Sequence, residues 1–273
     1  MDNLLYQELH RLTNATNFSD PIERLKYEEK IRKVFKDKRL LFPITLNGKD
    51  VELTRATKND KAGKRHITYR RGWYNDDITK IDVNRCNYEG QQIFYCSDDP
   101  GTSVFEIRPN LGDWITTIKI GIKKDTLNLL RLGIFNDMGI AHSFQLDEDE
   151  IGVLKFLEDK FKETVDSKKY VYWSTATICN IFYDDCRYDG IIYPSVASNL
   201  KGHNFVLKKK IIDQYAIILD ITTLEVVDYS HANDFKLQCI CFANEKKEND
   251  ELGWQIIHDC KSHKLDEDLY HYK

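Results

Sequence analysis

The order of secondary-structure signals along the 273-residue chain predicts an α+β fold. Two observations carry that reading. Short apolar or alternating stretches bounded by turn residues recur on both sides of one long helical segment. In that segment Ile151, Leu154, Phe156, Leu157 and Phe161 return at helical spacing. The series runs strands, a short helix, more strands, a helical insertion and strands again, which is not the regular alternation of a parallel βαβ protein. A hydrophobic content of 41% and an aromatic content of 12% are enough to bury one large core or two modest ones.

Taken in order, Ser19-Asp20-Pro21 supplies cap residues and a first-turn proline for a helix reaching about Lys36, with Ile22, Leu25, Ile31, Val34 and Phe35 inside it. Leu4, Leu5 and Leu9 precede it. The segment 47–64 is rich in Lys, Asn, Thr and Gly and reads as a loop with one short strand around Val51. A boundary falls there: residues 1–60 form a helical extension and residues 61–273 the main domain. Strands are predicted at 66–71, 92–96, 114–120 and 127–132. Between the second and third, Asp98-Asp99-Pro100 announces a short helix that contains Glu106. Helices follow at 148–165 and 170–185, then strands at 190–193, 204–208, 215–221 and 237–242.

Composition excludes several classes of function. With 40 Lys+Arg against 44 Asp+Glu the net charge is −4, which argues against nucleic acid as the main partner. The first residues carry no cationic start followed by an apolar run, and no later run has the length of a membrane span, so the expectation is a cytoplasmic protein without a membrane partner. Seven cysteines show neither a paired secretory framework nor CxxC spacing. Cys239 and Cys241 flank Ile240 and read as one face of a strand, and no metal site is expected. Neither HExxH nor a Gly-rich phosphate loop is present.

Four local patterns stand out: Tyr69-Arg70-Arg71, Asn84-Arg85-Cys86-Asn87, Ile93-Phe94-Tyr95-Cys96-Ser97 and Thr102-Ser103-Val104-Phe105-Glu106. A later block joins Gly190-Ile191-Ile192-Tyr193-Pro194-Ser195 to Gly202-His203-Asn204-Phe205-Val206-Leu207. In this order they resemble the RES domain, from Ile67 to about Asp228, and the segment from Trp173 to Phe182 is similar to the family's helix before the serine strand. The chain differs from many members in having Asn87-Tyr88-Glu89-Gly90 where they have a proline-rich turn.

The resemblance implies an ADP-ribosyltransferase-like mixed-sheet core and the activity of a toxin from a bacterial toxin–antitoxin pair, one that consumes NAD+ as substrate by hydrolysis or phosphorolysis. It carries over Arg70, Tyr95, Glu106 and Ser195 as the catalytic set. Arg71 and Arg85 stand beside Arg70 as alternatives for holding the substrate, and Asn204, His203 and Tyr193 are weaker candidates. The chemistry suits these residue types. An arginine fork bonds two phosphate oxygens of the diphosphate at once. A fixed carboxylate, Glu106, faces the positive charge that grows on the ribose as nicotinamide leaves. Tyr95 would stack on nicotinamide, and Ser195 would position either the ribose or the glutamate. Transfer of ADP-ribose to a protein, and a non-catalytic interaction module, are the other readings. The resemblance further implies an antitoxin or other inhibitory partner, and a homo-oligomer is compatible with the extension, whose main expected role is packing onto its own domain.

Overall fold

The computed structural model describes residues 3–36, 42–59, 73–74, 77–133, 146–164, 169–183, 186–230, 234–246, 252–256 and 270–271. They fold into helices α1 (Leu4–Ala15), α2 (Pro21–Lys36), α3 (Pro100–Glu106), α4 (Glu148–Lys162), α5 (Lys169–Tyr183) and α6 (Lys209–Tyr215). The strands are β1 (Phe42–Asn47), β2 (Glu52–Lys58), β3 (Phe94–Ser97), β4 (Trp114–Ile122), β5 (Thr126–Arg131) and β6 (Gly190–Pro194), followed by β7 (His203–Leu207), β8 (Ala216–Ser230), β9 (Asp234–Lys246), β10 (Leu252–Ile256) and β11 (Tyr270–His271). All join one sheet in the order β1-β5-β6-β7-β3-β2-β4-β8-β9-β10, with β11 also paired to β9. Only the β5–β6 pair among them is parallel, and α4 and α5 lie between these two strands in the chain. The fold is therefore α+β with a mixed sheet, as the element order predicts.

The local chemistry explains the elements. Asp99 caps α3 by accepting the Thr102 N–H, and Pro100 takes the first helical position, where no N–H is needed. Asp147 and Glu150 form a reciprocal capping box at the start of α4. Along β5, β6 and β7, alternate residues divide between two cores. Leu130, Leu132, Ile191, Tyr193 and Val206 pack with Leu9, Tyr27, Ile31 and Phe35 of the first two helices and with α4 and α5. Leu127, Leu129, Ile192, Phe205 and Leu207 face the opposite side, with Phe94 and with Ile211 and Ile212 of α6.

Two expectations need revision. In the described part of the predicted loop 47–64, the strand expected around Val51 is the longer β2, which lies between β3 and β4 inside the sheet, and the preceding residues form β1 along β5. The sheet thus takes in residues assigned by sequence to the extension. Strand β8 also runs well past the predicted end at Ile221, because it pairs along β4 on one side and β9 on the other. The predicted strand 66–71 lies outside the described residues.

Candidate functional site

Three elements end together at one margin of the sheet. Strands β3 and β6 both run antiparallel to β7, so their carboxyl ends meet its start. In register, Asn204 of β7 stands opposite Ser97 of β3 on one side and Tyr193 of β6 on the other. Directly opposed residues share a face of a sheet, so these three line one surface. Just beyond β3, α3 carries Glu106 as its last residue. Just beyond β6 comes Ser195, which is fully buried.

The side chains meet on one carboxylate oxygen. Ser195 Oγ donates to Glu106 Oε1 at 2.6 Å, and Asn204 Nδ2 donates to the same oxygen at 2.5 Å. Asn204 is itself oriented, since its Oδ1 accepts from Ser97 Oγ at 3.0 Å. Ser195 is held likewise: its Oγ accepts the Ser198 N–H at 3.1 Å and its N–H donates to the Gly202 carbonyl at 2.9 Å. The intervening turn places Asn199 and Leu200 in the left-handed region, with φ of 54° and 64°. Gly202 has a second use. A Cβ on it would lie 2.1 Å from Thr102 Oγ1, so the absent side chain lets α3 sit against this turn and brings Glu106 within reach of Ser195.

Glu106 makes no ion pair among the described residues, and both donors to Oε1 are neutral. The carboxylate is exposed and opens into a cleft of about 350 Å³. Four basic side chains line that cleft, Arg55, Lys58, Arg85 and Arg108, against Glu106 as its one acidic residue among those described. Lys58 pairs with Asp113 at 3.1 Å. Three tyrosines, Tyr95, Tyr172 and Tyr193, supply aromatic wall.

Tyr95 is pinned at its hydroxyl. It accepts the Cys86 N–H and donates to Asn87 Oδ1, both at 2.9 Å, which anchors it to the turn Asn84–Asn87. Burial, reinforced by the Cys86 thiol and Tyr193, holds this phenol well above its ordinary range, so it stays a neutral donor. The neighbouring Arg85 lines the cleft but points its two guanidinium nitrogens at the carbonyls of Lys160 and Glu163, each at 3.0 Å. It thereby closes the carboxyl end of α4. Behind this turn, the buried thiols of Cys86 and Cys179 stand 2.8 Å apart.

Of the residues singled out by sequence, Tyr95, Glu106, Ser195, Asn204, Tyr193 and Arg85 share one site. Arg70 and Arg71 lie outside the described residues. His203 is turned away into a pair with Asp98, at 3.1 Å. Of the two roles open to Ser195, the geometry realises a bond to the glutamate. One residue was missed. Arg55 of β2 is half-buried beside Phe94, with its guanidinium 5.3 Å from the ring, and donates to the Tyr95 carbonyl at 3.0 Å while lining the cleft. Partial removal from water pulls its pKa below the usual arginine value. The clue in the sequence was an arginine with Leu53 and Thr54 before it and Ala56 and Thr57 after it, a stretch with β-branched and apolar residues on both sides.

A family model for the RES domain matches residues 53–225, well over half the chain. The chain belongs to the RES-domain family. The match opens two residues before Arg55 and so takes in all of β2 but Glu52, whereas the resemblance read from the sequence starts later. All the site residues named above fall inside this RES match. No curated protein matches the chain. Among the described residues of this RES protein, no helix is long and apolar enough to cross a membrane.

Proposed function

We propose that this protein binds NAD+ in the cleft beside Glu106 and cleaves the bond between nicotinamide and ribose. The observation that carries the reading is the carboxylate itself: neutral donors fix one oxygen and no cation neutralises it among the described residues. When the nicotinamide–ribose bond lengthens, positive charge gathers on the ribose carbon and its ring oxygen. A preorganised carboxylate stabilises that charge more than the ground state, which is what acceleration requires. The electrons of the breaking bond leave with nicotinamide, which departs neutral. Water then adds to the ribose carbon and loses a proton, giving ADP-ribose; inorganic phosphate in place of water gives its 1″-phosphate.

The rest of the lining supports a dinucleotide of this kind. Arg55 and Arg108 suit the diphosphate, and Tyr95 with Tyr172 offers flat surface to the nicotinamide ring. Under the same reading the protein lowers cellular NAD+ as a toxin, and an antitoxin or other inhibitory protein restrains it. The test is direct: purified chain is incubated with NAD+, with and without phosphate, and the products are identified by mass. Release of nicotinamide with ADP-ribose or its phosphate is the expected result. ADP-ribose recovered only on a protein acceptor would make it a transferase, and intact NAD+ with well-folded protein would overturn the reading.

A further inference from the structure

Helices α1 and α2 form a hairpin joined by residues 16–20, and residues of both line a groove of about 730 Å³. None of the groove's lining residues belongs to the Glu106 cleft. Its floor is apolar, formed by Leu5, Leu9, Leu12 and Val34. Its rim is basic: Arg11 stands on one helix and Lys30 and Lys33 on the other, against a single acid, Glu8. This is a local excess of positive charge on a chain whose net charge is −4.

The ion pairing of α2 sharpens the point. Lys26 is paired with Glu23 and Arg32 with Glu28, at 2.9 and 2.8 Å. Arg11, Lys30 and Lys33 have no partner among the described residues. Among the described side chains of these two helices, the cations with neither an ion pair nor a ring partner are those that edge the groove.

We infer that the α1–α2 groove is a docking site for an acidic amphipathic helix of a partner protein, one whose apolar stripe enters between the two helices while flanking Asp or Glu side chains meet Arg11, Lys30 and Lys33. A third helix laid on a helical hairpin is a recurrent mode of peptide recognition. A second copy of this chain is a poorer occupant, because a two-fold interface would set the same basic rim against itself. A membrane is poorer too, since the apolar floor is recessed and a flat surface does not reach it. The inference is independent of the reaction at Glu106.

The experiment uses the full chain and two fluorescent synthetic 18-residue helical peptides with the same leucine stripe, one flanked by Glu and the other by Lys. Anisotropy titration should show the Glu peptide binding at least tenfold more tightly than the Lys peptide, with the advantage shrinking as NaCl rises. The doubly substituted Lys30→Glu/Lys33→Glu chain, altered only at exposed positions, should reverse the preference. Replacing the leucine stripe by serine should abolish binding. Equal affinity for both peptides, or a preference unmoved by charge reversal, overturns the proposal. So does sedimentation showing a dimer that Lys30→Glu/Lys33→Glu dissociates, which would make a second copy the occupant. Charge-dependent flotation with phosphatidylserine vesicles, without binding of the Glu peptide, would overturn it in favour of a membrane.

Discussion

A carboxylate held by neutral donors keeps its full charge available, whereas one paired with arginine has spent most of it on its partner. Glu106 is of the first kind, and this makes a charge-removing but shape-conserving change informative. In Glu106→Gln the side-chain carbonyl still accepts from Ser195 and Asn204, so the site geometry is expected to survive. Turnover of NAD+ should fall about a hundredfold or more, as for removal of other electrostatic stabilisers. Single-turnover kinetics alongside a thermal melt checks both halves, and near-normal turnover in a folded variant would contradict the role. Tyr95 allows a complementary cut, because its ring faces the cleft while its hydroxyl serves the Asn84–Asn87 turn. Tyr95→Phe leaves the Cys86 N–H and the Asn87 amide oxygen without that partner, which should cost about 1–3 kcal/mol of stability. If the ring is what NAD+ meets, kcat changes little, so urea unfolding and steady-state kinetics should move apart. A large fall in kcat at unchanged stability would instead give the hydroxyl a direct part in the reaction.

At the scale of elements, the site depends on how closely α3 approaches the turn between β6 and β7. Gly202→Ala puts a methyl group 2.1 Å from Thr102 Oγ1, so one of the two must move. Overpacking of this kind costs about 1–3 kcal/mol. Because α3 carries Glu106, the displacement should also lower NAD+ turnover, and adding Thr102→Ala should restore part of both losses. Turnover equal to that of the parent chain in Gly202→Ala would show that the approach is not needed. Much of this element was legible in advance. Asp99-Pro100 marks the start of α3, and the short apolar runs in Ile93–Ser97 and Gly190–Pro194 mark β3 and β6, because cap chemistry and a run of apolar side chains are local properties. Strand β2 was legible only as a short strand around Val51 within a loop. Its residues Glu52-Leu53-Thr54-Arg55-Ala56-Thr57-Lys58 are polar in composition, since part of the strand borders the cleft instead of an apolar core, and a composition count therefore reads as loop. Arg55 was lost with it. The bond from Asn204 to Glu106 spans 98 positions and has no local signature.

Across the whole molecule, the first two helices are part of the core and not an appendage. Leu9, Phe18, Tyr27, Ile31 and Phe35 are each at most 7% exposed and join the cluster formed by α4, α5 and one face of the sheet. Phe35 stacks on Phe182 of α5, and Arg24 lies 3.7 Å from the Trp173 ring, which in turn stacks on Tyr88 next to the Tyr95 anchor. The other apolar residues of α2 noted in the sequence divide accordingly: Ile22 and Leu25 remain exposed, while Ile31 is wholly buried. A fully buried large apolar side chain contributes about 1.5–3 kcal/mol. Five of them give about 7–15 kcal/mol, comparable to the entire stability of a typical domain, about 5–15 kcal/mol. Deleting residues 1–36 should therefore abolish cooperative folding, and with it any turnover of NAD+. Circular dichroism melts and NAD+ turnover of the truncated chain, compared with Glu106→Gln, separate the possibilities. Glu106→Gln should melt like the parent and be inactive, whereas the truncation should lose both the transition and the activity. A truncated chain that melts cooperatively near the parent temperature and still consumes NAD+ would show that the domain's core closes without its amino-terminal hairpin.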